Sequence, residues 1–195
     1  MSEVRPVLTD PEVLEALAHP VRLDVLNYLM SAGPATASTC ARAVGDTPSN
    51  CSYHLRTLAR YGLVEAVASH DGRERPWQAT ITGFDIDPEA DPESAEGRGS
   101  AALMAASVAL EQRSLRDYLS HRDAVAAEWK AADQCSAYTL RLTPTELRLL
   151  AAQLDELIRP LIAATRESPP EGAELVQLGL YAFPRQGAPW TGRRR

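Results

Sequence analysis

Cysteine is scarce in this sequence: Cys40, Cys51 and Cys135 make an odd number with no CxxC pair, so no disulfide framework is expected. Long apolar runs are missing as well. None approaches the roughly 20 residues that cross a bilayer, and the opening MSEVRPVLTDPE lacks a basic-then-apolar leader, so a cytoplasmic protein is expected. A GxSxG elbow, a Gly-rich phosphate loop, an HExxH pair and a Cys/His dyad in fitting context are all absent. No catalytic residue and no cofactor are assigned, and an enzyme is not expected. Positive charge is the last shortage. The chain carries a net −6 at pH 7, which taken as a sum argues against nucleic acid.

The location of the acids reverses part of that argument. Residues 82–98 hold Asp85, Asp87, Glu89, Asp91, Glu93 and Glu96 against Arg98 alone, whereas residues 47–61 contain no acid at all. Residues 1–81 are still not net basic, so modest nonspecific affinity and a steep salt dependence are expected of any DNA binding. At 195 residues and 45% apolar content, the chain has room for one medium domain or two small ones, with an ordinary core.

The stretch TPSNCSYHLRTLARYGLV, residues 47–64, demands two environments at once. At about 100° per residue, Cys51, Leu55, Leu58 and Ala59 fall on one side of a helix. Ser49, Tyr53, Arg56, Thr57 and Arg60 fall on the other, with Asn50 alongside. Hydroxyls, a phenol and guanidinium groups suit phosphates and base edges better than plain solvent. Thr47 caps the start, Pro48 fits the first turn, and Gly62 ends the helix before a strand at Leu63-Val64.

Two further motifs flank this helix in order. LEALAHPVRLDVLNYLM precedes it, and a hairpin with the turn His70-Asp71-Gly72-Arg73 between strand-like residues 63–68 and 75–81 follows it. Over residues 10–81 the three together resemble the winged helix-turn-helix of ArsR-type bacterial repressors. The resemblance implies a reading helix at 47–61, a supporting helix at 34–44, and a wing whose Arg73 and Arg75 follow the DNA backbone or enter the minor groove. Ser49, Asn50 and Tyr53 become candidates for base edges, with Ser52, His54, Arg56, Thr57 and Arg60 mainly positioning on phosphates. His54 has an equal claim as a donor or acceptor inside the domain. Arg22 is read as a surface ion pair ahead of a phosphate contact, and Trp77 as packed under the sheet. Thr9 and Glu12 stand at capping-box spacing for the first helix.

The family includes metal sensors, and their ligand sets do not close here. Cys40 has Ser38 and Arg42 where a CxC would need its partner, and His121 with Asp117 or Asp123 lacks a second histidine. No metal is assigned. Redox control at Cys40 or Cys51 is a minor alternative, since free cysteine usually serves as a small buried hydrophobe.

The rest of the chain exceeds the minimal fold of that family, and most resembles actinobacterial-type regulators with a C-terminal extension. Residues 82–98 read as an acidic, flexible linker. Residues 100–132 read as one long helix, whose length suggests the same helix of a second chain beside it. A strand at 136–142, a helix at 143–164 started by Thr143-Pro144-Thr145-Glu146, and a strand at 175–183 complete an α-β-α-β region. The tail Arg193-Arg194-Arg195 is read as disordered. The expected architecture is therefore mainly α with small β parts: a DNA-binding domain at 1–81, the linker at 82–98, and a dimerisation and effector region at 99–195. Met104, Tyr118, Trp129 and Tyr138 are candidates for an effector cleft, with the dimer core as their plainer role. The expected function is a homodimeric, sequence-specific repressor of transcription that reads double-stranded DNA, under small-molecule control and away from membranes. The rival is a winged-helix module that binds protein only.

Overall fold

A computed structural model describes residues 5–68 and 75–184. In chain order the elements are β1 (Val7–Leu8), α1 (Pro11–Leu17), α2 (Pro20–Ala32), α3 (Ala37–Val44), α4 (Pro48–Arg60), β2 (Val64–Ala66), β3 (Trp77–Ala79), β4 (Asp85–Ile86), α5 (Ala95–His121), a 3-10 turn (Arg122–Ala124), α6 (Ala127–Ala132) and α7 (Pro144–Glu167). The chain is mainly helical with small β parts, as expected, but of its two small sheets only the β2–β3 pair is expected from the sequence. No helix among the described residues is long and apolar enough to cross a membrane.

Local chemistry sets the helix ends. α1 is capped by Asp10, whose carboxylate accepts from the Glu12 N–H at 2.9 Å, in place of the Thr9 capping box expected from spacing. α3 starts on Thr36, which accepts from the Thr39 N–H. α4 starts on Thr47, which accepts from the Asn50 N–H at 3.3 Å, with Pro48 in its first turn. Gly62 follows α4 at φ 68°, a left-handed conformation that side chains rarely adopt, and it closes the helix on Leu58 and Ala59.

Leu14, Leu17, Leu23, Val25, Leu26, Leu29, Cys40, Cys51, Leu55 and Leu58 are fully buried and form one core with Leu103 of α5. β2 and β3 pair antiparallel with Val64 opposite Ala79, and Ala35, just before α3, bridges to Trp77; β3 packs on α2 and β2 on α4. Trp77 is half-buried against the core, as expected. The hairpin turn at 70–73, including Arg73, lies outside the described residues, as does Arg193-Arg194-Arg195.

The acidic stretch 82–98 is not the free tether its composition suggests. Asp85–Ile86 pair in parallel with Val7–Leu8, Arg5 bridges to Asp85 at 3.0 Å, and α5 already begins at Ala95 on a Ser94 cap. α5 then packs along α1 so closely that a Cβ at Gly99 would meet the Leu14 Cβ at 2.9 Å. Small residues that read as loop formers are what admit this contact.

Beyond α5 the chain departs from expectation in two places. The helix expected over 100–132 breaks after His121, and the 3-10 turn and α6 fold back. Asp133 accepts from Arg122 Nε at 2.8 Å and from the Tyr118 hydroxyl at 2.6 Å, which ties the returning chain to the helix it left and pulls the Asp133 carboxyl below its usual range. Residues 136–142 and 175–183 alternate as strands would, but form none among the described residues. Alternation makes a strand only where an edge is available to pair with, and these segments leave Tyr138, Leu140, Val176 and Phe183 exposed. α7 forms as expected, on a complete Thr143–Glu146 capping box.

Candidate nucleic-acid interface

The side chains of α4 divide as the helical wheel requires. Cys51, Leu55 and Leu58 are fully buried, while Ser49, Asn50, Tyr53, Arg56 and Arg60 are exposed. Spacings of four, three and four residues place Ser49, Tyr53, Arg56 and Arg60 on one face. Tyr53 stands 56% exposed at its centre, a poor place for a phenol that serves only structure. Arg75 is exposed at the approach to β3.

Four expected contacts are placed differently. His54 is only 3% exposed, so it cannot reach a phosphate from its position inside the domain. The wheel put it on the boundary between faces, and the fold turned that boundary inward against His19. Ser52 and Thr57 are half-buried, and Thr57 spends its hydroxyl on the Tyr53 carbonyl at 3.1 Å. Asn50 is exposed, but its amide nitrogen donates to Asp46 at 2.6 Å.

Asp46 is the residue that pattern reading overlooked. It stands immediately before the Thr47 cap, accepts the Thr47 N–H at 2.6 Å and holds Asn50. The Thr47 N–H, then the Asn50 amide, draw its carboxyl below the usual range, so an ionised carboxylate sits beside the helix end that would face a phosphate. An acid one residue before an N-cap, four before an Asn, was the available signal. Arg22 is also assigned differently, since its Nε donates to the Ala16 carbonyl. It lines a groove of about 420 Å³ with Glu12, Glu15, Thr57 and Tyr61.

Cys40 and Cys51 lie in the core with no exposed surface. Burial first, then the neighbouring Cys51, pushes the Cys40 thiol up to about 11, which disfavours the thiolate that oxidation needs. Among the described residues no three His, Cys, Asp or Glu side chains gather as a metal site.

The candidate effector residues are scattered in character. Met104 and Tyr138 are exposed, at 57% and 81%. Tyr118 is bonded to Asp133, and Trp129 is half-buried on α6. None of the four lines the groove at Arg22.

Residues 17–67 match the model of a helix-turn-helix domain, a span covering α2, α3, α4 and β2. No curated protein matches the chain by sequence. Solved structures resemble it distantly. The PcaV transcriptional regulator of Streptomyces coelicolor, in complex with its natural ligand, is 19% identical over 74% of each chain, with a TM-score of 0.32. MepR, a transcription regulator of the Staphylococcus aureus multidrug efflux pump MepA, is 14% identical over 77% of this chain and 89% of its own, at 0.31. A Mycobacterium tuberculosis MarR family protein, Rv2887, in complex with salicylic acid, is 22% identical over 76% of this chain and 87% of its own, at 0.28.

Proposed function

We propose that this helix-turn-helix chain is a sequence-specific DNA-binding regulator of transcription, acting as a homodimeric repressor of the ArsR-like type. The observation that carries the reading is the α4 face: Ser49, Tyr53, Arg56 and Arg60 are presented together on a helix whose opposite face is locked into the core. A protein-binding version of the fold would need apolar or acidic groups there. In this reading α4 enters the major groove, Ser49, Asn50 and Tyr53 meet base edges, and Arg56 and Arg60 settle on phosphates with the wing residues Arg73 and Arg75.

A second copy is part of the proposal because the described part of the C-terminal half leaves several large apolar residues exposed. Leu115 and Leu119 of α5 and Leu149 and Leu157 of α7 are all more than half exposed, more apolar surface than a solitary chain ordinarily leaves in water. The exposure of Met104 and Tyr138 favours a place for them in that interface over a small-molecule cleft within one chain. A dimer would set two reading helices about 34 Å apart, one turn of B-DNA, and select an inverted repeat.

Selection of bound duplexes from a random library by the full-length protein at near-physiological salt tests the reading. Enrichment of an inverted repeat with half-sites about one turn apart is expected, and no enrichment by a folded dimer overturns it. Asp46 offers a finer check. Asp46→Asn keeps an acceptor for the Thr47 N–H and removes the carboxylate, so affinity for the selected duplex should rise severalfold at low salt, measured by fluorescence anisotropy. Unchanged or weaker affinity would assign Asp46 to orienting Asn50 alone.

A further inference from the structure

Beneath the α4 face lies a pair of groups that DNA reading does not use. His19, the residue before α2, and His54, on the inner side of α4, stack with ring centroids 4.7 Å apart and planes tilted by 40°. The Nδ1 atom of each is buried and finds no hydrogen-bond partner among the described residues. The outer edge of His54 meets Tyr53, with centroids 5.3 Å apart and planes at 67°, so one aromatic chain runs from the start of α2 to the centre of the exposed face. With only two imidazoles, and no third ligand gathered among the described residues, the pair is too small a donor set for a metal.

We propose that His19 and His54 form a proton-operated latch: neutral, they seat α4 on α2, and protonation of either loosens that seat and weakens DNA binding. The proposal rests on the DNA-binding reading of α4. On His54 a proton on Nδ1 would create a buried donor with no acceptor among the described residues, facing a second imidazole; on His19 a bond to its own backbone favours the proton but is outweighed by burial and Arg22. On His19 the new charge would also stand at the N-terminus of α2, where the helix dipole opposes a cation. The charged groups that act on the pair are Arg22 from α2, which opposes protonation, and Asp46 from the turn before α4, which favours it. Burial comes first for both rings and holds both below the ordinary histidine value.

A histidine whose value is depressed on folding contributes stability that is complete above the ordinary value near 6.5 and is lost as the pH falls below it. The other displaced acids do not mimic this. Asp46 is held below its usual range and stays charged across the window. Asp24 on α2, facing Arg113, is raised by burial, and a raised carboxyl makes the fold more stable on acidification. Cys40 and Cys51 remain thiols throughout.

The test uses the full-length protein in two arms. In the first, without DNA, the Cε1–H signals of the four histidines are followed by NMR from pH 8 to 5 and assigned with His19→Gln and His54→Gln. The His19 and His54 signals are expected to titrate below the ordinary value, and ordinary titration of both overturns the latch. In the second, affinity for the duplex chosen by library selection is compared at pH 7.5 and 5.5. A loss of at least fivefold is expected, kept by a His121→Gln control and reduced to less than twofold in His19→Gln/His54→Phe. An equal loss in a folded His19→Gln/His54→Phe protein overturns the latch; should that variant fail to fold, the first arm decides. Absence of binding at pH 7.5 would instead sink the DNA-binding reading and leave the histidine titration to be judged by itself.

Discussion

Replacing Tyr53 and Arg56 together with alanine should weaken binding to the selected duplex by at least tenfold, since each side chain on a base edge or phosphate is worth about 1–3 kcal/mol. Both side chains are exposed, and neither supports the core formed by the other face of α4. Alanine is the best helix former, so the helix should persist and the thermal midpoint should stay within about 2 °C of the parent. The two halves of the double variant can be separated by salt. Arg56→Ala, if its guanidinium lies on a phosphate, should lower the slope of log affinity against log salt by about one and weaken all sequences alike. Tyr53→Ala should leave the slope unchanged and instead blur the preferred sequence at one position of the half-site. Equal affinity of parent and double variant, measured by anisotropy on folded protein, would remove the α4 face from DNA reading.

The helix α4 was legible because its information is local. Thr47 and Pro48 mark its start, Gly62 its end, and the wheel sorts its faces without knowledge of any other segment. His54 was the exception for the same reason: whether a boundary residue turns in or out depends on its partner, and His19 lies 35 positions earlier. Residues 82–98 misled by composition. Two-residue strands carry no periodicity, so the pairing of Asp85–Ile86 with Val7–Leu8 leaves no trace in the pattern, and six acids argue for solvent. The break after His121 has no Pro or Gly to announce it, since it is held by the bonds of Tyr118 and Arg122 to Asp133. Residues 136–142 and 175–183 carry the alternation of strands without an edge to receive them, a condition that no single stretch of sequence can report.

The burial of Leu103 makes the second large prediction. Leu103→Ala should destabilise the helix-turn-helix by about 2–5 kcal/mol, the range for truncating a fully buried leucine, although the residue lies beyond the expected domain boundary at 98. Leu103 has no exposed surface and shares its cluster with Leu14, Leu17 and Leu26. Gly99, one turn earlier, brings α5 against Leu14 at a distance that a Cβ would violate. The first turns of α5 are thus part of the core that seats α4, and a fragment ending at residue 98 should lose its cooperative thermal transition along with DNA binding. Gly99→Leu probes the same packing by overfilling it and should cost about 1–3 kcal/mol. If chemical denaturation instead shows Leu103→Ala within about 0.5 kcal/mol of the parent, the range of surface substitutions, α5 is a separate layer and the 1–81 unit folds by itself. The stronger coupling has a consequence for control. On the proposed function, a second copy or a ligand acting on the far half of α5 would act on the same helix that reaches Leu14, and any preference it has between two settings of that helix would pass to α4 without touching Ser49, Tyr53, Arg56 or Arg60.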